Sequence, residues 1–217
     1  MAGFTITTEP VQEPLSLQEV KDYLRLDDNI DERMLRALIQ TARVFCEEHI
    51  GRKLMTQTIT QFIDGYDETT SPLWEGTRTA PDLPIYKNFI ELSFAPLQSV
   101  TSVKTFDDSD TATTMASSKY YVDSVRELPR IVLRKGETFP TALRVANAIE
   151  IIYDVGYSTA FSIPEAIKVG MLQHIAHMYE HRGDMYEAKN PYPPMLKSLY
   201  APYVIHKGLG GSTLMAI

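Results

Sequence analysis

Three histidines, His174, His177 and His181, come closest to chemistry in this sequence of 217 residues. On a helix turning about 100° per residue they fall within roughly a 60° sector. Neutral imidazoles so placed can bind zinc, with Glu180 or Asp184 adding a carboxylate. The same residues also have a packing reading. His174 continues the stripe Ile163, Ile167, Met171, His174, Met178, and no cysteine stands nearby to complete a metal set, so His174 reads as a histidine of a core or interface. Asp107-Asp108-Ser109-Asp110 offers oxygen ligands but lacks the glycine and the distant glutamate of a helix-flanked calcium loop, and its composition is that of a polar hairpin turn. Gly208, Gly210 and Gly211 are not followed by Lys and then Ser or Thr and precede no helix, so they form no phosphate loop. The chain has no CxxC, HExxH or GxSxG motif. These residues name no catalytic group and no cofactor, and a non-catalytic role is expected.

The elements that would position these residues follow from spacing and caps. Residues 1 to 15, with Pro10 and Pro14, read as an extended N-terminal arm. Ser16-Leu17-Gln18-Glu19 is a capping box that opens a helix over 17–26. Asp31 and Glu32, carboxylates at a helix N-terminus, open a second helix over 31–50, with Leu35, Leu38, Ala42, Phe45 and His49 on one face and Gly51 as its stop. Short β-branched runs then follow: Thr56 to Asp64, Phe89 to Phe94, Val100 to Phe106, Tyr120 to Val125, Ile131 to Leu133 and Ala148 to Asp154. Separated by Pro, Gly, Asp and Ser, they read as antiparallel strands in a β-rich insertion over 55–157. Within it, residues 65 to 87 read as a long loop with Trp74 near its middle. Ser162-Ile163-Pro164-Glu165 starts a helix over 163–182, and a last helix spans 194–201, ended or kinked by Pro202.

The expected fold is therefore α+β: a helical bundle of two N-terminal and two C-terminal helices with an inserted antiparallel β-rich region. One domain over 16–204 is followed by a flexible glycine-rich tail over 205–217 with an apolar end.

Bulk properties narrow the function. The net charge of −7 argues against a protein whose main task is gripping nucleic-acid phosphates, but does not exclude one that DNA merely passes. Cys46 is the sole cysteine, so no intramolecular disulfide can form; it reads as a buried thiol in a chain folded in a reducing cytoplasm. No basic and apolar leader opens the sequence, and no run of about 18 apolar residues suggests a membrane span. Tyrosines are frequent, Tyr200 and Tyr203 among them, and tyrosine is enriched at protein interfaces. Trp74 is a further interface candidate.

The order of landmarks is recognisable. Pro14-Leu15-Ser16-Leu17-Gln18-Glu19-Val20-Lys21 leads to Leu24-Arg25-Leu26-Asp27, then to Ile50-Gly51-Arg52 and Thr56-Gln57-Thr58. Pro96-Leu97-Gln98-Ser99-Val100 and Tyr121-Val122-Asp123 follow, then Tyr153 to Tyr157 and Ile163-Pro164-Glu165-Ala166-Ile167-Lys168. Tyr179-Glu180-His181-Arg182 and Leu199-Tyr200-Ala201-Pro202-Tyr203 close the series. Over most of residues 14 to 204 this resembles the head-to-tail connector (adaptor) proteins of tailed bacteriophages.

The resemblance implies a virion protein of the neck, made in the host bacterial cytoplasm. It implies a homo-oligomeric ring, usually twelvefold, docked on the portal protein. Such a ring extends the DNA channel without binding DNA specifically and offers a platform for the next neck, stopper or tail protein. It also implies a C-terminal segment that reaches the portal, which here would use Leu209, Gly210, Gly211, Leu214, Met215 and Ile217. The rival readings are another ring-forming neck or tail-completion protein and a small metal-dependent enzyme built on the histidines.

Overall fold

The computed structural model describes residues 3–65, 89–140, 143–181 and 194–205. The chain divides into two compact units: residues 1–9 with 57–155 and 206–217, and residues 10–56 with 156–205. Among the described residues the first is β and the second helical, so the fold is α+β.

In the β unit, β1 (Gly3–Thr8), β2 (Gln57–Ile63), β8 (Ile149–Val155), β4 (Leu97–Phe106) and β5 (Ala112–Thr114) form a five-stranded sheet in the order β1-β2-β8-β4-β5. A second sheet has the order β3-β7-β6, from β3 (Phe89–Glu91), β6 (Tyr120–Asp123) and β7 (Arg130–Leu133). Every strand pair is antiparallel. Alternation decides which face turns inward: along β8, Ile149, Ile151, Tyr153 and Val155 are buried and the residues between them are half-buried. The two sheets share one core, in which Ile59, Val103, Ile149 and Ile151 of the larger meet Ile90 and Ile131 of the smaller. The Gln61 side chain is enclosed there, at 1 % exposure. The Gln61 carbonyl oxygen accepts from the Tyr153 hydroxyl at 2.9 Å and from the Ser93 amide at 2.9 Å, and its amide donates to the Glu91 carbonyl at 3.2 Å. Burial of a side-chain amide is tolerated because its groups are paired.

Two strands go beyond the sequence reading. Gly3–Thr8, expected within an extended arm, is hydrogen-bonded to β2, with Gly3 opposite Phe62 and Ile6 opposite Ile59. Ala112–Thr114 pairs with β4 across the turn at 107–110, where the Asp107 carboxylate accepts from the amides of Ser109 and Thr111 at 2.9 Å each. Trp74 and the long loop at 65–87 fall outside the described residues apart from Gly65.

In the helical unit, α1 (Leu17–Leu24), α2 (Glu32–Ile50), α3 (Glu165–Glu180) and α4 (Pro194–Tyr200) enclose a core of Leu35, Ile39, Ala42, Cys46, Ile50, Ile167, Met171, Ile175 and Tyr200, among others. The Ser16 capping box forms in full. The first helix nevertheless stops at Leu24 rather than 26, because Arg25 turns left-handed (φ 57°) and the Leu26 amide closes back onto the Lys21 carbonyl at 3.0 Å. The second begins at Glu32, one residue later than expected. Asp31 makes no side-chain bond to the helix amides, and its carboxylate instead accepts from the Tyr179 hydroxyl at 2.6 Å. Gly51 ends that helix at φ 71°. The third was expected from 163 but starts at Glu165. Proline disfavours helical geometry in the residue before it, and Ile163 is extended ahead of Pro164. Ser162 does not cap it; its hydroxyl lies 2.9 Å from that of Thr159. The third helix ends at Glu180 rather than 182, and the fourth ends at Tyr200 rather than 201, where a single 3-10 turn over Ala201–Tyr203 carries Pro202. Among the described residues no helix is long and apolar enough to cross a membrane.

Candidate interaction surfaces and buried polar groups

Of the three histidines, His177 and His181 bring their rings to 4.3 Å, while His174 sits in the core. His174 is 4 % exposed, with its ring 4.6 Å from that of Phe45, and its Nδ1 has no hydrogen-bond partner among the described residues. Burial, and secondarily the neighbouring His177, hold its imidazole below the usual histidine range. His177 is half-buried, and its carbonyl lies 2.9 Å from Nδ1 of the exposed His181. Although the spacing puts all three in one sector, burial falls from His174 through His177 to His181, so depth separates what angle unites. Among the described residues no group of three or more His, Cys, Asp or Glu is placed to hold a metal, and Asp184 lies outside them.

Cys46 is fully buried, and desolvation pushes its thiol up to about 12. Tyr200, expected at an interface, is instead a core residue of its own unit with 0 % exposure. It packs over Gly170, where an added Cβ would lie 2.5 Å from the ring. Its hydroxyl has no satisfactory hydrogen-bond partner among the described residues, and the Cys46 thiol is the polar group beside it. Tyr203 is half-buried, and its carbonyl accepts from Arg52 Nε at 2.8 Å. Leu209, Gly210, Gly211, Leu214, Met215 and Ile217 lie outside the described residues.

Sequence reasoning missed a buried ionic knot. Arg43 and Glu47 occupy the inner side of α2, at 6 % and 4 % exposure. The Glu47 carboxylate meets Lys53 Nζ at 3.0 Å and Arg43 at 3.6 Å and accepts from the Leu54 amide at 3.0 Å; Arg43 Nε reaches Glu13 at 2.8 Å. The knot ties residue 13 and residues 53–54 to one helix. The i,i+4 spacing of Arg43 and Glu47 was the available signal, but that spacing is ordinary on exposed helix faces.

The surface offers two further features. In the helical unit an open groove of ≈ 890 Å³ is lined by Val11, Leu15, Leu17, Ile39 and Phe161 with Glu19 and Lys168, and Val11 and Phe161 are each 95 % exposed. In the β unit both outer strands of the larger sheet are exposed at every residue, and Val125, between β6 and β7, is 96 % exposed.

No family model and no curated protein matches the chain. Solved structures do. A chain from the neck of an empty GTA particle, computed with C6 symmetry, aligns over 96 % of this chain and 98 % of its own at a TM-score of 0.74 and 18 % identity. A chain from the virion of a native gene transfer agent (GTA) particle aligns over the same shares at a TM-score of 0.71 and 17 % identity. A chain from the neck of a native GTA particle, computed with C12 symmetry, also covers 96 % and 98 %, at a TM-score of 0.64 and 18 % identity. The fold of this chain is thus the fold of neck chains along nearly its whole length, consistent with the resemblance to head-to-tail connectors seen in the sequence.

Proposed function

We propose that this chain is a non-catalytic structural subunit of the neck of a phage-like particle: a head-to-tail connector that assembles as a ring, of twelve copies, on the portal. The ring extends the DNA channel and presents a platform to the next neck, stopper or tail protein. The observation that carries this reading is the near-complete alignment, in both directions, with chains of particle necks. Charge supports it, because a subunit with net charge −7 repels the DNA it surrounds and lets it slide. Production in a bacterial cytoplasm fits a chain whose one cysteine is buried and free.

The portal contact is assigned to the C-terminal segment, through Leu209, Gly210, Gly211, Leu214, Met215 and Ile217, with Trp74 and Tyr203 as further interface residues. Apolar side chains spaced by glycine suit a segment that lies down in a groove of a partner, and a ring of such segments binds as one multivalent unit.

Negative-stain microscopy of the full chain mixed with its portal tests the reading: stacked double rings are expected. A chain truncated after Ile205 should still form rings but leave the portal bare. Virions lacking this polypeptide at the junction of head and tail would overturn the proposal.

A further inference from the structure

We propose that copies of this chain join edge to edge through the larger sheet, β1 of one copy lying beside β5 of the next. The inference rests on the ring reading above and assigns the surface that closes the ring. A closed ring of identical subunits needs two different patches on each copy, because a patch that pairs with itself stops at a dimer. Among the described residues, β1 and β5 are the two ends of one sheet, each hydrogen-bonded on one side only. Both lie in the same compact unit, so their separation is set by the sheet itself.

Neither edge is guarded by charge or proline. Exposed edges in proteins are ordinarily blunted by lysine, proline or charge. Residues 3–8 and 112–114 contain none of these, in a chain with 28 acidic and 21 basic residues. Two acidic copies can approach there without bringing like charges together. A single irregularity between Ile6 and Thr8 leaves Gly3 to Ile6 as a regular ladder. The apolar side of β1 is also unfinished. Phe4 and Ile6 stand opposite Gln61 and Ile59, which are buried, yet they remain 49 % and 44 % exposed. The core face of the sheet thus continues onto its rim, where the Phe4 ring meets Phe94 edge-on at 4.7 Å.

Strand direction makes the inference specific. Four antiparallel steps separate β1 from β5, so the two run the same way. Head-to-tail repetition therefore lays β5 parallel to the neighbouring β1, whereas a two-fold dimer through β1 alone would be antiparallel.

The test uses the full chain carrying Thr5→Cys with Ala112→Cys, or Thr5→Cys with Thr114→Cys. Thr5 lies on the opposite side of β1 from Phe4 and Ile6, and Ala112 and Thr114 share one side of β5. The buried Cys46 does not compete for the reagent. A short bismaleimide bridging ~7 Å tolerates about two residues of register. Rings are counted by electron microscopy in the same sample, and unreacted variants are melted beside the parent to verify folding. The expected result is rings with a covalent ladder up to the closed ring in a double variant, and monomer in each single variant. Rings without a ladder in either double variant overturn the edge pairing and leave the ring reading standing. Cross-linked dimers from Thr5→Cys alone overturn it in favour of two-fold pairing. Neither rings nor ladder overturns both.

Discussion

Replacing Glu47 by Gln keeps the shape of the ionic knot and removes its central charge. The Glu47 side chain is 3 % exposed, and the two cations that converge on it, Arg43 and Lys53, are 7 % and 11 % exposed. Without the carboxylate, Arg43 keeps Glu13, which is one-third exposed, while Lys53 loses the carboxylate 3.0 Å from its Nζ. Breaking a buried pair by removing one partner costs about 3–5 kcal/mol, because a desolvated charge is left behind. Gln can still accept from the Leu54 amide, so Glu47→Gln belongs at the lower end, about 3 kcal/mol. Glu47→Ala also orphans that amide and belongs near 5 kcal/mol.

The readout should be local to the helical unit, because a chain with two units need not unfold in one step. Cys46 supplies one. It is enclosed in the core of that unit, and its thiol, pushed up to about 12, reacts only when the unit opens. Labelling by a disulfide reagent at fixed pH then reports the opening equilibrium. A loss of about 3 kcal/mol raises the labelling rate by roughly two orders of magnitude. An increase below about fivefold, equivalent to about 1 kcal/mol, would refute the idea that the knot holds uncompensated charge in check.

Three further outcomes are expected. Gly156→Ala should destabilise the helical unit by about 2–3 kcal/mol or more, seen in the same labelling assay: φ is +104° there and an added Cβ would lie 2.1 Å from the Met55 carbonyl oxygen. Tyr200→Phe should leave urea stability within about 1 kcal/mol of the parent or raise it, since the hydroxyl it deletes is buried beside the Cys46 thiol with no satisfactory hydrogen-bond partner among the described residues. His174 should make stability fall as the pH is lowered from about 6.5, because the unfolded chain takes up a proton that the buried ring resists. One group contributes at most about 1.4 kcal/mol per pH unit, and His174→Met, compared with the parent in urea titrations at several pH values, should remove its share of the slope.

Local signals explain where sequence reading succeeded. The capping box at Ser16 and the glycine stop at Gly51 are complete within a few residues, and the β-branched runs mark β2, β6, β7 and β8 to within two residues and β3 and β4 to within three. The losses have a common origin in partners far along the chain. Gly3–Thr8 resembles an arm because the strand that orders it begins at Gln57. Ala112–Thr114 is too short for a periodic signal. The inward face of α2 is carried by Leu35, Ile39, Ala42, Cys46 and Ile50, with Leu38 and Phe45 at its margin. Reading His49 into the stripe rotated that face, because Arg43 and Glu47 look solvent-facing until Glu13 and Lys53 are known to meet them. The depth of the histidines was hidden for a similar reason: angle around a helix is written in its spacing, but how deeply each turn is buried is not.

The excursion of the chain into its β unit begins at Gln57 and returns at Val155, and these two residues are register partners on adjacent strands. A module whose incoming and outgoing ends already lie side by side is a natural graft site. Its interior can be lengthened, shortened or exchanged while the host helices keep the same stump to hold. Among the described residues the borrowed N-terminal strand ties the module to sequence outside that splice, so a transplant that omitted residues 3–8 would bare the flank of β2. Divergent chains of this fold can thus retain one helical scaffold and trade the sheet grafted onto it.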